Sequence, residues 1–172
     1  MSTKVYSTEI LIVGAGLGGV AGALAASKLG RNVILTEETD WIGGQLTSQG
    51  VPPDESPWID DYRTGATLSY RQMRNAIRAY YQRYYPLNEN AKRNHHLNPG
   101  MGSVSPICHE PRVGLAVLEG MLAPYRASGR LHIWLNHSPI DADITGDRVD
   151  GITFLDSTTG EKRIVRFKFV LD

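Results

Sequence analysis

Glycines recur near the N-terminus at the spacing G-x-G-x-x-G, which is typical of a loop that binds the pyrophosphate of a dinucleotide. The first glycine allows a tight turn, the second lets a phosphate approach the backbone, and the third lets the following helix pack closely. Backbone amides and the helix dipole stabilise the phosphate charge. The loop consists of Gly14, Ala15, Gly16, Leu17, Gly18 and Gly19.

An acidic residue follows this loop at the expected distance. Glu37 lies 18 residues after Gly19, at the end of a predicted strand, where its carboxylate can accept hydrogen bonds from a ribose diol. The same carboxylate repels a 2′-phosphate, which argues against NADP. Next come Glu38 and the run Gly43, Gly44 and Gln45, whose paired glycines let backbone amides approach a ligand that extends beyond ADP. The glycine loop alone does not distinguish NAD from FAD.

The hydrophobic pattern predicts the elements that position these residues. A short β-branched run ending in glycine predicts a buried parallel strand, an Ala- and Gly-rich run predicts a helix, and a second apolar run predicts the next strand. Such a β-α-β unit makes the two strands parallel with a right-handed crossover. The predicted elements are a strand over 7–13, a helix over 17–29 and a strand over 32–36.

The remainder of the chain differs from a repeating β-α-β pattern. Residues 39–111 are predicted to be an insertion of helix and long loops. Within it a helix is predicted over 67–85, with an apolar stripe of Tyr70, Met73, Ile77, Tyr80 or Tyr81, and Tyr84. A second helix over 113–127 is expected to kink or end at Pro124. Three strands then form a predicted β-meander, over 131–137, 149–155 and 164–171. We therefore predict the α/β class: one Rossmann-type FAD/NAD(P)-binding domain over 1–172, with a parallel sheet, a helical insertion and a C-terminal meander.

Composition limits the classes of function. The 172 residues carry 18 basic and 18 acidic side chains, so no global field attracts nucleic acid or an anionic membrane. The single cysteine excludes an internal disulfide. Residues 10–27 resemble the apolar part of a signal peptide, but five glycines in that run favour the nucleotide-loop interpretation. A cytoplasmic location without membrane contact is expected.

Three further groups of residues are weaker candidates. Cys108, His109 and Glu110 combine a nucleophile, a base and an acid, but adjacent residues rarely converge on one substrate atom. His95 and His96 lack a spaced third ligand, so no metal site is predicted. Six of the eight tyrosines and a net excess of basic residues lie within 62–96, a pattern that can bind single-stranded nucleic acid.

In its sequence motifs the chain resembles the N-terminal part of FAD-dependent oxidoreductases of the glutathione-reductase-like flavoprotein superfamily. The glycine loop, Glu37 and Gly43-Gly44 carry that resemblance. The runs Gly43–Val51 and Cys108–Pro111 resemble a bacterial subgroup of FAD-dependent oxidoreductases. The resemblance implies FAD as cofactor, with its ADP part on the glycine loop and Glu37, and with Gly43, Gly44 and Gln45 following the pyrophosphate towards the flavin.

The resemblance also implies parts beyond this sequence. Family members continue for hundreds of residues, with a second flavin motif of Ala-Thr-x-x-Gly-Asp type after the strand that ends at Asp172. We therefore expect a fragment that needs a C-terminal portion of the same protein, and backbone near Pro139 or Ile140 is expected to contact the adenine. Gln45–Gln49 could bond the flavin or form a polar surface loop. No catalytic residue is assigned, and the substrate is open.

Two alternatives remain from the sequence. The chain could be a non-catalytic module or remnant that binds ADP or NAD. It could also belong to a flavin-dependent RNA-modifying enzyme, with RNA bound by arginines that share one helix face. These arginines are Arg71, Arg74 and Arg78.

Overall fold

The computed structural model describes residues 3–53, 58–61, 63 and 65–172, which divide into two compact units. The sheet unit consists of the residues up to Gly44 together with Leu122–Asp172. The helical unit consists of Gln45–Met121. The glycine loop and the acidic residue after the second strand belong to the sheet unit.

The sheet unit contains one mixed sheet with the strand order β3-β2-β1-β6-β5-β4 among the described residues. Strands β3, β2, β1 and β6 run parallel, whereas β4, β5 and β6 form antiparallel pairs. Helix α1, Leu17–Lys28, connects β1 to β2 and packs against both. The strands are β1 Lys4–Val13, β2 Val33–Thr36, β3 Leu131–Trp134, β4 His137–Thr145, β5 Arg148–Asp156 and β6 Lys162–Leu171.

The core of the sheet unit joins the parallel strands to the meander. Leu11, Ile34, Phe154 and Val165 form one buried apolar cluster, with contributions from β1, β2, β5 and β6. Tyr6 and Trp134 pack edge to face against each other beside this cluster, with ring centroids 4.8 Å apart. Burial of these apolar side chains holds the antiparallel strands in one sheet with the β-α-β unit.

The predicted Rossmann-type α/β class is confirmed, but the predicted composition of the meander is wrong. Strand β3 pairs in parallel with β2, and the meander consists of β4, β5 and β6. The sequence pattern missed β4 because proline and aspartate, which are rare in strands, occupy Pro139, Asp141 and Asp143. These residues are tolerated because β4 is an exposed edge strand with register shifts beside Pro139 and Asp143.

The helical unit contains α2, Leu68–Tyr84, and the short α3, Glu89–Arg93. Thr67 caps α2, and its side chain accepts a hydrogen bond from the Tyr70 amide at 3.2 Å. Met73, Ile77 and Tyr81 of α2 are buried as the apolar stripe predicts. The predicted burial of Tyr84 is wrong, because this residue is 62% exposed. Helix α3 was not predicted, although Asn88 provides a cap that accepts from the Ala91 amide.

Helix α4 comprises Pro111–Ala127 and thus begins two residues before its predicted start. Of the expected kink or end at Pro124, the end is excluded, since the helix continues for one further turn and the Ser128 amide donates to the Pro124 carbonyl at 3.1 Å. Proline has no backbone N–H, so position 124 donates no bond to the preceding turn of the helix. Among the described residues, no helix combines the length and the apolar character needed to cross a membrane.

Candidate functional site

The glycine loop connects β1 directly to the N-terminus of α1. Gly14 adopts φ +87°, a left-handed conformation that glycine tolerates best. Gly16 is the N-cap residue, and its carbonyl accepts from the Val20 amide at 2.9 Å. The first amides of any helix lack intrahelical partners, and here neither a capping side chain nor an acidic residue occupies the first turn. The helix terminus is therefore suited to a bound anion.

Space around the loop differs from one glycine to the next. An added Cβ at Gly16 or Gly18 would meet no atom within 4 Å. An added Cβ at Gly19 would lie 2.0 Å from the Gly14 carbonyl oxygen. Gly19 thus permits the close approach of α1 to the loop, while the other two positions leave an open face. This open face beside the helix terminus fits a pyrophosphate.

Gly22 is a structural residue that the motif does not include. An added Cβ there would lie 2.9 Å from Leu171 Cδ2 of β6 and 3.5 Å from Ile12 Cδ1 of β1. Gly22 follows Gly19 by three residues and therefore lies on the same helix face. That spacing was a sequence signal for a close contact between helix and sheet.

Glu37 is buried at the end of β2, with 8% of its surface exposed. Its Oε2 accepts a hydrogen bond from the Ala15 amide at 2.9 Å. Its Oε1 accepts from the amide and the hydroxyl of Thr39, at 3.0 and 2.8 Å. The carboxylate thus fixes the glycine loop to the end of β2, a role that the sequence did not reveal. A carboxylate has about four acceptor positions, so one more hydrogen bond from a ribose is compatible with these three.

The paired glycines pack against the glycine loop by backbone contact. Gly43 and Gly44 adopt φ +106° and +53°, and the Gly43 amide donates to the Ala15 carbonyl at 2.7 Å. An added Cβ at Gly44 would lie 3.1 Å from the Gly16 Cα. Glycine at this pair therefore suits both the positive φ angles and the close backbone contact with Gly16.

The structure brings most of the predicted cofactor residues together in the sheet unit: Gly14, Ala15, Gly16, Leu17, Gly18, Gly19, Glu37, Gly43 and Gly44. Glu38 is exposed. Gln45 begins the helical unit, where its residue is exposed and its carbonyl accepts from the Val51 amide at 2.7 Å. Pro139 and Ile140 lie within β4 rather than in the connection that follows β3. Contact of these residues with a cofactor stays a prediction.

Cys108, His109 and Glu110 have separate partners in the helical unit. The Cys108 Sγ lies 3.5 Å from the Ser105 carbonyl, and the His109 Nδ1 lies 3.0 Å from the Ile107 carbonyl. Burial lowers the pKa of His109. Glu110 Oε2 accepts from the Tyr85 hydroxyl at 2.8 Å. The partners of the three side chains support a role in positioning the loop, and no nucleophile–base hydrogen bond is shown among them.

Two of the three α2 arginines that share a helix face are buried in ion pairs rather than open to solvent. Arg74 and Arg78 are 1% and 4% exposed, and both guanidinium groups bond the carboxylate of Asp60. The aliphatic stem of arginine packs in apolar surroundings when its charge is paired, which the helical spacing alone does not show. These two residues therefore do not present an open surface to the phosphates of an RNA strand.

The fold and the glycine loop together define a dinucleotide-binding protein of the Rossmann type. A family model described as FAD dependent oxidoreductase matches residues 9–172. The chain therefore belongs to the FAD dependent oxidoreductase family, and FAD is its cofactor. No match was found among curated proteins.

Several solved structures resemble the chain at low sequence identity. Sdh1 of Mycobacterium smegmatis in complex with UQ1 is 12% identical with a TM-score of 0.58, covering 97% of this chain and 33% of that chain. The myxobacterial FAD-dependent halogenase CndH is 14% identical with a TM-score of 0.55, covering 96% and 36%. L-proline dehydrogenase from P. horikoshii is 14% identical with a TM-score of 0.50, covering 99% and 23%. This chain thus spans between 23% and 36% of the length of these three proteins. The similarity shows the fold.

Proposed function

We propose that this chain binds the ADP part of FAD at the glycine loop, within a flavin-dependent oxidoreductase that exchanges a hydride with an organic substrate. The observation that carries the proposal is the open face at Gly16 and Gly18 beside the N-terminus of α1. Glu37 adds an acceptor for the ribose at the end of β2. The flavin supplies the redox chemistry when bound, and the protein binds and orients it.

The residues of the site have distinct roles in this proposal. The first amides of α1 donate to the pyrophosphate, and the absence of side chains at Gly16 and Gly18 admits it. The bond from Ala15 to Glu37 holds the loop in place before a ligand enters. Gly43 and Gly44 lie against this loop, so their backbone is suited to the part of the cofactor beyond ADP. Placement in the glutathione-reductase-like superfamily and a subgroup of bacterial oxidoreductases belongs to this proposal.

Parallel calorimetric titrations with FAD, ADP and NAD test the proposal. We expect FAD to bind more tightly than ADP, and a Gly16→Val variant to lose both, because the valine side chain occupies the space of the pyrophosphate. A Gly120→Val variant serves as the control, since Gly120 is exposed on α4 and an added Cβ meets no atom within 4 Å. Equal affinity for FAD and ADP would support a module that holds only ADP. Absence of FAD binding to the wild-type chain would refute the proposal.

A further inference from the structure

The carboxylate of Glu37 is held on both of its oxygens by the protein itself. Its Oε2 accepts a hydrogen bond from the Ala15 amide of the glycine loop at 2.9 Å. Its Oε1 accepts two bonds from Thr39, one from the backbone amide at 3.0 Å and one from the hydroxyl at 2.8 Å. Each carboxylate oxygen has about two acceptor positions. Oε1 therefore has both positions filled within the chain, whereas Oε2 keeps one position for a ligand.

The Thr39 hydroxyl has a second acceptor within reach, since it lies 3.0 Å from the Trp41 carbonyl oxygen. A hydroxyl carries a single proton, so it donates fully to only one of the two. The bond to the carboxylate is the shorter one, and a charged acceptor makes the stronger hydrogen bond. The proton of the Thr39 hydroxyl therefore points to Glu37.

The backbone of both residues is fixed by the connection between β3 and β4. The Glu37 amide donates to the Trp134 carbonyl at 2.9 Å, and the Glu37 carbonyl accepts from the His137 amide at 2.8 Å. The Thr39 carbonyl accepts from the Asn136 amide at 3.0 Å. Main chain and side chain together thus limit the freedom of the Glu37 carboxylate to turn. An acceptor that is already positioned loses less entropy when it binds a ligand.

We infer that Thr39 is a positioning residue of the nucleotide site, and that Glu37 recognises a single hydroxyl of the ribose diol through Oε2. The inference rests on the proposed function, which places the ADP part of FAD at the glycine loop. Oε2 is the carboxylate oxygen that is bonded to this loop. A carboxylate with both oxygens open could accept from both hydroxyls of the diol. Thr39 fills Oε1, so the two ribose hydroxyls contribute unequally to binding.

Calorimetric titrations with ADP, 2′-deoxy-ADP and 3′-deoxy-ADP test how many hydroxyls Glu37 accepts. We expect the loss of one hydroxyl to weaken binding at least about tenfold, because that hydroxyl donates to a charged group. The loss of the other hydroxyl should weaken binding less than about threefold. Similar affinities for the two deoxy analogues would overturn the inference.

Three threonine variants separate positioning from a general effect on the fold. Thr39→Val keeps the shape of the side chain but removes the hydroxyl, so the ratio of ADP affinity to that of the weaker deoxy analogue should fall at least about threefold. Thr39→Ser retains the hydroxyl and should keep the wild-type ratio. Thr145→Val makes the same change on an exposed residue of β4 and should also keep it. A loss of stability alone would weaken all three nucleotides equally and leave the ratio unchanged.

The outcomes distinguish this inference from the proposed function. Absence of ADP binding to the wild-type chain would refute the proposed function, and the inference with it. ADP binding to the wild-type chain, together with an unchanged ratio in Thr39→Val, would overturn the role of Thr39 alone. A ratio as low in Thr39→Ser as in Thr39→Val would also overturn that role, because the hydroxyl would then not be the group that positions Glu37.

Discussion

The backbone amide of Ala15 donates a hydrogen bond to the buried carboxylate of Glu37 at 2.9 Å, across 22 residues of sequence. The glycine loop is therefore attached to the end of β2 as well as to β1 and α1. Because Glu37 is also the predicted acceptor for the ribose, one side chain would position the loop and contact the cofactor.

A Glu37→Gln variant tests the structural part of this role. Glutamine keeps one acceptor oxygen but places an NH₂ group against the amide of either Ala15 or Thr39, so one donor is left without an acceptor. We expect the free energy of unfolding, measured with urea, to fall by about 1–3 kcal/mol.

Glu38→Gln provides the adjacent control, since Glu38 is exposed. Its unfolding free energy should remain within about 0.5 kcal/mol of wild type. Equal stability of the two variants would show that the contact between Glu37 and Ala15 does not hold the loop.

The glycines of the loop should separate into a structural and a binding group. Gly19→Ala places a Cβ 2.0 Å from the Gly14 carbonyl oxygen, so we expect a loss of about 2 kcal/mol or more in urea unfolding. Gly18→Ala meets no atom within 4 Å and lies in α1, where alanine favours helix by up to about 1 kcal/mol.

Gly16→Ala should leave stability almost unchanged, because its Cβ also meets open space. Calorimetry should nevertheless show weaker FAD binding, since the methyl group lies where the pyrophosphate is expected. A Gly19→Ala variant as stable as Gly18→Ala would contradict the close approach of α1 to the loop.

The nucleotide loop could be predicted because its signals are local. A β-branched run, glycines at fixed spacing and an Ala-rich helix each depend on neighbouring residues, and Glu37 lies at the end of the next strand. The bond between Glu37 and Ala15 could not be predicted, because it depends on the position of two segments in the folded chain. Gly22 was missed although its spacing from Gly19 was a visible signal.

The burial of two α2 arginines could not be predicted, for a related reason. The spacing of Arg71, Arg74 and Arg78 shows a shared helix face, but it does not show what covers that face. Asp60 lies 14 residues before Arg74 in an irregular segment, and only the fold brings it to both buried guanidiniums. Edge strand β4 was missed because it contains a proline and aspartates, which depart from the usual strand pattern. Such residues occur on exposed edge strands, where they prevent pairing with another chain.

Asp60→Asn tests the buried ion pairs of the helical unit. The substitution leaves Arg74 and Arg78 without their shared carboxylate, and the loss of one partner from a buried charge cluster typically costs about 3–5 kcal/mol. Urea unfolding should show a decrease of this order.

Asp61→Asn is the control at the next residue. Asp61 accepts from the Arg63 Nε at 2.6 Å, but its side chain is 40% and that of Arg63 is 68% exposed. Such exposed pairs contribute about 0–1 kcal/mol, so stability should change little. A smaller loss for Asp60→Asn than for Asp61→Asn would show that Asp60 does not compensate the buried arginines.

Tyr85 should make stability depend on pH in the alkaline range. Its hydrogen bond to the Glu110 carboxylate raises the pKa of Tyr85 to about 12, above the unfolded value of about 10. Between these values the unfolded chain releases the phenol proton while the folded chain retains it, so the stabilisation is complete below about pH 10 and is lost as pH rises towards 12. Tyr85→Phe removes this titration, and urea unfolding at pH 9, 10 and 11 should show a shallower decline than in wild type. Tyr84 is an exposed neighbour of Tyr85, and Tyr84→Phe should retain the wild-type decline in unfolding free energy with pH. Identical slopes in wild type and Tyr85→Phe would mean that the contact with Glu110 does not control the titration of Tyr85.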